Sequence, residues 1–592
     1  MISLPLSDFG KSFKLNVVKE VMPYKLYNAQ TLKQVYVPIN DGIQTLLANK
    51  TLKTQAKRNE VKQQFIENID AWNCRGENNT FNIVEYASRY CEIDVSVLKQ
   101  GYAKFRNDML ELTGLDCDDF ITIQSMAEAY LLKEGVYNGV YKISGFVQQF
   151  IHKCIVGGRT MTNSNKMFHT KMKLADFDAC SLYPSAMALL GYLMGLPKVL
   201  KPDQLNYDFL QSIDGYFVKI KITKVGKHRQ FPLLSKISKD KVRQFKNSMV
   251  GEMVYVDKNA LEDLVEFQHV EFDVVQGYYF DEGRNYKIRE IINKLYNKRK
   301  EMKKYKNPAE VVIKLFMNSM YGKSIIKPIE TDWKVFNNKD KFDDYIYMNH
   351  NMVEETNEIG NKYFVKVRKA INEHFNYCHV GCEILSMSKR IMNQVMCLAE
   401  DLEILMVYTD TDSIHIESNK VKFLGDEFQK KYGRQLIGKD LGEFHVDFGM
   451  FDEDGNKIEV STDIDSIEGI FLAKKVYNDH LESHDLQGNL VHDHHTRLKS
   501  VSGSCIKKKA QDDYNGNVMN IYKDLFDGDE IEFDLTDRLD SKDVFEFDQK
   551  TLNVSTRQKK FPRQIKFDLD TERVNIFSDK DVKKYINDFN NI

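Results

Sequence analysis

Residues 408–413 read YTDTDS, between the apolar runs LEILMVY and SIHI. Alternation on both sides predicts a β-hairpin whose tip carries Asp410 and Asp412. A solvated acidic turn can have the same tripeptide, so the carboxylates alone do not decide. The apolar arms do, because two buried strands carry their turn into a cleft. Carboxylates held this close repel unless a cation lies between them, and their hard oxygens suit a divalent metal.

A third carboxylate stands upstream, in DFDACSLYPS at 176–185. The stretch reads as strand, turn and helix, with Asp178 closing the strand and a helix running through AMALLGYLMG until Pro197 stops it. Asp178 is the expected ligand. Asp176 is the alternative, but beside a core-facing Phe177 it reads as a solvent-facing strand residue. Two ions roughly 3.5–4 Å apart need carboxylates from separate segments. Mg²⁺ is expected, with Mn²⁺ as the alternative.

Between these lie two helical stretches. KIREIINKLYNKRKEMKKYK, from Lys287 to Lys306, holds nine basic and two acidic residues, and Asn307-Pro308 should break it. A second helix is predicted from Ala309 to Tyr321, capped by Gly322, so the two form a hairpin. In KLFMNSMYGKS, Lys314, Asn318 and Tyr321 share one helical face. A lysine there can hold a phosphate, an amide can hydrogen-bond and a phenol can stack on a base. An amphipathic helix with a snorkelling lysine would look the same in isolation.

Together, DACSLYPS, KLFMNSMYG and YTDTDS resemble motifs A, B and C of family B DNA polymerases, in the family's order. IVGGR before the first and Lys475-Val476-Tyr477 after the last resemble the family's glycine-pair and KxY motifs, so the strong likeness runs from about Ile155 to Tyr477. The resemblance implies an α+β multidomain right hand of palm, fingers and thumb, with a partial RNase H-like exonuclease domain at the N-terminus. It implies template-directed transfer of dNMP from dNTP to a primer hydroxyl on DNA. Asp178 and Asp412 become metal ligands, with Asp410 the third catalytic acid. Lys314 grips the triphosphate with Arg299 or Lys303, Asn318 and Tyr321 border the nascent pair, and Ser181, Leu182 and Tyr183 line the nucleotide site. Tyr183 becomes the steric gate against a ribose 2′-hydroxyl. Gly157, Gly158 and Arg159 would meet the template, and Lys475 and Tyr477 the primer. The implied regions are 1–165 (N-terminal), 166–283 and 326–480 (palm), 284–325 (fingers) and 481–592 (thumb).

Within the family the likeness is greatest to the protein-primed branch of viruses, linear plasmids and self-synthesising mobile elements, whose primer hydroxyl can come from a terminal protein. The β-rich stretch 216–280 and an insertion at about 328–372, with strands in DYIYMNH and KYFVKVRK, sit where that branch carries two extra subdomains. Of three exonuclease motifs, only the last is recognisable, as Tyr90 and Asp94 in RYCEIDVSVL. A lone Asp94 cannot build a two-metal nuclease, so no proofreading is expected, and the missing half is either truncated or supplied by another polypeptide. A nuclease, or an inactive DNA-binding or scaffolding remnant, are the rival readings. Retention of all three acids argues against a remnant.

The 592 residues suggest roughly four structural units. With 42% apolar and 29% charged residues the chain can bury several cores. Net charge is −2, so composition gives no sign of a nucleic-acid partner; the charges are segregated, and Lys439–Glu468 and Asp524–Asp548 are dominated by acids, the latter read as a solvated thumb surface. RQKKFPRQIKF near the C-terminus is a basic patch. No apolar stretch is long enough for a membrane span, Asp8 and Lys11 interrupt any leader, and nine scattered cysteines suit reduced thiols, so an intracellular location is expected. Cys378 and Cys382, with His374 one turn earlier, read as the buried face of a helix. His492, His494 and His495 in HDHH match no zinc spacing and read as a solvated loop.

Overall fold

The computed structural model describes residues 2, 4–48, 55–238, 242–305, 310–452, 457–534 and the strand segments 544–548, 553–557, 562–567 and 573–576. Asn307-Pro308, much of the acidic stretch after Asp534 and the start of the basic patch lie outside the described residues.

A nine-stranded antiparallel sheet organises the molecule. Its strands run in the order Leu490–Leu498, Val476–His484, Asp465–Ala473, Leu174–Ala179, Ser413–Glu417, Met406–Asp410 and Thr160–Thr162, with Phe168–Thr170 and Phe444–Val446 pairing from the side. Thr160–Thr162 leaves the N-terminal region by pairing with Met406–Asp410, and the sheet continues past 481 through Leu498. The HDHH segment is its edge strand, not a loop.

The Cys378–Asp401 helix lies against this sheet and is buried on almost every face, Cys378 and Cys382 included. His374 precedes the helix, with its Nδ1 3.1 Å from Gln148 Nε2, rather than lying one turn up it. The motif A helix stops at Leu189, short of Pro197, because Tyr192–Leu193 pairs with Arg284–Asn285. A separate sheet of Met253–Asp257, Gly215–Val225, Val270–Phe280 and Lys198–Val199 forms the expected β-rich section, crossed by the Lys258–Gln268 helix.

In the 328–372 insertion, KYFVKVRK is a strand as expected, but DYIYMNH ends the Lys339–Asn349 helix. Asn338 caps that helix by accepting from Lys341 N at 3.0 Å, and Phe342 and Tyr345 pack on Tyr363 and Phe336. The N-terminal region carries a 31-residue helix, Ile83–Thr113, capped by Asn82 at one end and by Gly114 at φ +64° at the other.

Asp257 illustrates how the core constrains charge. It caps Lys258–Gln268 through Ala260 N at 3.2 Å, accepts from the Ser386 hydroxyl and is wholly buried. Burial, with Glu383 nearby, pushes its carboxyl from 3.8 up to about 7. A raised carboxyl stabilises the fold while protonated; that contribution is complete below about pH 4 and lost as pH rises towards about 7. The slope is roughly 1.4 kcal/mol per pH unit in between. Asp257→Asn should therefore gain steadily on the wild type in urea midpoint from about pH 4 to 7. A pH-independent difference would show that Asp257 is ionised throughout.

Candidate active site

The two acidic segments meet on adjacent strands. Ser413 is the register partner of Asp178, and Ala179 N donates to Asp412 O at 2.8 Å, which draws the hairpin tip against the end of the motif A strand. Thr411 takes φ +68° at that tip, and its N–H donates to Arg159 O at 2.9 Å. A Cβ on Gly158 would lie 2.5 Å from Thr411 Cγ2, so this glycine serves the hairpin's close approach.

The three acids are not equivalent. Asp410 is paired, accepting from Thr160 Oγ1 at 2.9 Å and lying 3.1 Å from Lys475 Nζ. Among the described residues Asp178 has no lysine or arginine ion pair: burial first, then Asp412, Asp176 and Asp447, push its carboxyl up to about 7, opposed by His445. Burial and Asp410 raise Asp412 as well, opposed by Lys475 and Lys314. Two crowded, half-buried carboxylates whose ionisation is resisted form a hard-oxygen donor pair that fits a divalent cation.

Other expected residues gather around them. Ser181 begins the Leu182–Leu189 helix at φ +51°, and Arg299 Nη1 donates to its hydroxyl at 3.2 Å. Arg299 is also tied to Glu310 at 2.8 Å, which joins the two helices of the basic hairpin. The Tyr183 ring stacks on Tyr321, centroids 4.6 Å apart. Leu182 is buried. Lys314 and Asn318 are exposed on Glu310–Ser319, and Lys303 is exposed on Lys287–Lys304. The second helix ends at Ser319, and Gly322 opens a short 3₁₀ turn in place of the expected C-cap.

Several residues stand otherwise than expected. Arg159 is buried and donates to Phe231 O at 3.0 Å, Pro232 O at 3.2 Å and Met396 Sδ at 3.0 Å, so its guanidinium holds the core rather than a template. Gly157 has open space around it. Tyr477 is buried among Tyr408, Phe471 and His415, leaving Lys475 as the exposed member of its motif. Asp176 is largely buried rather than solvent-facing. On the Ile83–Thr113 helix, Asp94 pairs with Lys19 at 2.9 Å and Tyr90 shares a 2.5 Å hydrogen bond with Tyr24. Among the described residues no cluster of three metal-ligating side chains includes Asp94.

Sequence reading missed His445, the register partner of Asp178, whose Nδ1 is 3.3 Å from Cys180 Sγ. It also missed His415 and Asp479, and set His495 aside with the HDHH loop. A histidine at an inward position of SIHI was the available signal.

Residues 1–415 match the family model of type B DNA polymerases, organellar and viral, and the chain belongs to that family. A probable DNA polymerase of Neurospora intermedia is 28% identical over 284 residues, covering 44% of this chain and 27% of the relative. One of Ascobolus immersus is 21% identical over 472 residues, covering 78% and 37%. The chain thus spans well under half the length of these relatives. In fold it is similar to Phi29 DNA polymerase complexed with primer-template DNA and incoming nucleotide substrates, at TM-score 0.56 and 15% identity over 94% of this chain and 78% of that one. Among the described residues no helix is long and apolar enough to cross a membrane.

Proposed function

We propose that this chain is a DNA-directed DNA polymerase that extends a primer hydroxyl on a DNA template with dNTPs. The observation that carries this reading is the meeting of Asp178, at the end of its strand, with Asp412, at the hairpin tip beside it, where burial and neighbouring carboxylates resist the ionisation of both. Asp178 and Asp412 hold divalent metal, which when bound neutralises phosphate charge and favours the ionised attacking hydroxyl. Lys314, whose ammonium acts on Asp412, holds the triphosphate as a point charge, with Arg299 and Lys303 from the neighbouring helix. Asn318 and Tyr321 border the new pair. Tyr183, braced by Tyr321, closes the space a 2′-hydroxyl would need. Lys475, exposed and linked to Asp410, is the contact to the primer strand.

In this reading the central sheet with the 378–401 helix is the palm, 284–325 the fingers, the segment after Leu498 the thumb, and 328–372 together with the β-rich section the extra subdomains of protein-primed enzymes. A terminal protein as primer follows from that likeness. Nine unbonded thiols suit a reducing, intracellular compartment. Primer extension with Mg²⁺, wild type against Asp412→Asn, tests the assignment.

Proofreading is expected to be absent, because Lys19 occupies Asp94. A 3′-mismatched, end-labelled primer incubated with the chain and Mg²⁺ without dNTPs should stay full length. Shortening that disappears in Asp94→Asn would refute this.

A further inference from the structure

Beside the acidic site, four titratable side chains from four strands converge. They are Asp176, His415, Asp479 and His495. His415 and Asp479 are wholly out of water, Asp176 is 13% exposed and His495 is 21% exposed. Both ring nitrogens of His415, both carboxylate oxygens of Asp479, Asp176 Oδ1 and His495 Nδ1 are buried with no hydrogen-bond partner. Tyr408, Phe448, Phe471 and Tyr477 surround the His415 ring edge-on at 5.0 to 5.8 Å, so water does not solvate it. So many polar atoms left unpaired in an aromatic cage are costly unless something binds them.

We infer that Asp176, His415 and His495 form a binding site for a zinc-type divalent transition ion, distinct from the Asp178–Asp412 pair. One donor atom from each lies within 4.8 Å of the others. Donors on a tetrahedral zinc at about 2.0–2.1 Å stand about 3.4 Å apart, so a small contraction closes the set. The orientation of His415 supports this. Its Nδ1 faces Asp479 Oδ2 at 3.3 Å and its Nε2 faces Asp176 Oδ1 at 3.9 Å. Asp479 is thus placed to accept the Nδ1 proton and leave the Nε2 lone pair for a metal, the carboxylate–histidine–metal order that orients zinc ligands. The mixed imidazole and carboxylate donors favour zinc over Mg²⁺, which prefers oxygen alone. A simple imidazolium between two carboxylates would give His495, whose Nδ1 is 4.0 Å from Asp479, no part. The ion would join the Leu174–Ala179, Ser413–Glu417 and Leu490–Leu498 strands beside the carboxylates of the active site.

The test uses the full-length chain as wild type and as the double variant Asp178→Asn, Asp412→Asn, which removes the acidic pair. Stripped with chelator and titrated with Co²⁺, both should take up one tightly held ion showing the intense visible bands of a tetrahedral site, displaced by Zn²⁺. Asp479→Asn should weaken Co²⁺ binding roughly 10–100-fold, and His495→Gln should abolish the bands. No bands in the double variant, or unchanged bands in His495→Gln, would overturn the site. Should the buried variants not fold, the zinc content of the purified double variant decides, near one per chain in support and none against. Primer extension with Mg²⁺ on the same wild-type preparation keeps this inference separate: extension by a protein that shows no Co²⁺ bands and no zinc would refute the zinc site and leave the polymerase reading standing.

Discussion

Asp412→Asn lowers primer extension by about 10³-fold or more while leaving primer-template binding within a few-fold of the wild type. The amide keeps the size of the side chain and can accept the same local hydrogen bonds, but it removes the charge that makes the pair with Asp178 a cation site. Metal stabilisation of a transferring phosphoryl group contributes several kcal/mol, and each 1.36 kcal/mol is tenfold in rate. Asp410→Asn should lose less, because Asp410 already shares its charge with Lys475 at 3.1 Å. Single-turnover incorporation of one dNTP, with binding followed separately by anisotropy, measures both. Equal extension by wild type and Asp412→Asn, or silence from both, would remove the basis for the proposed site; equal losses at 410 and 412 would remove the distinction drawn between them.

What the sequence made legible follows from where its signals are local. Apolar alternation around YTDTDS and a strand-to-helix switch in DFDACSLYPS are short-range patterns, and both elements form where those patterns place them. Position in space was harder to read. Nothing near Arg159 in the chain reveals that its partners are carbonyls of Phe231 and Pro232. The HDHH strand was hidden because polar residues fill both of its faces: His494 stacks on His480 and His495 faces Asp479 across the sheet. DYIYMNH, rich in the aromatic and branched residues of strands, became helical because it continues a helix that Asn338 caps, whose Phe342 and Tyr345 pack on a neighbouring three-stranded sheet. There tertiary packing outweighed propensity.

Stability should depend most sharply on a charge pair that no motif contains. Glu383, on the Cys378–Asp401 helix, is 2% exposed and receives Arg284 Nη2 at 2.8 Å and Nη1 at 3.1 Å. Arg284 also donates to Gly191 O at 2.6 Å and Asp214 O at 2.8 Å, so a single guanidinium ties the long helix, the end of motif A and the β-rich section together. Glu383→Ala leaves that guanidinium buried without its counter-charge, which costs about 3–5 kcal/mol. The exposed pair Lys224–Glu271, with side chains 61% and 62% exposed, provides the contrast, since Glu271→Ala should cost no more than about 1 kcal/mol. Urea midpoints at equal m-values compare the two. Because Arg284 lies just before the Lys287–Lys304 helix that carries Arg299, Glu383→Ala should also weaken dNTP binding at temperatures where the fold survives. If Glu383→Ala were no worse than Glu271→Ala, water would have to reach the Arg284–Glu383 pair, and the anchoring of the basic helix hairpin would rest on its apolar contacts alone.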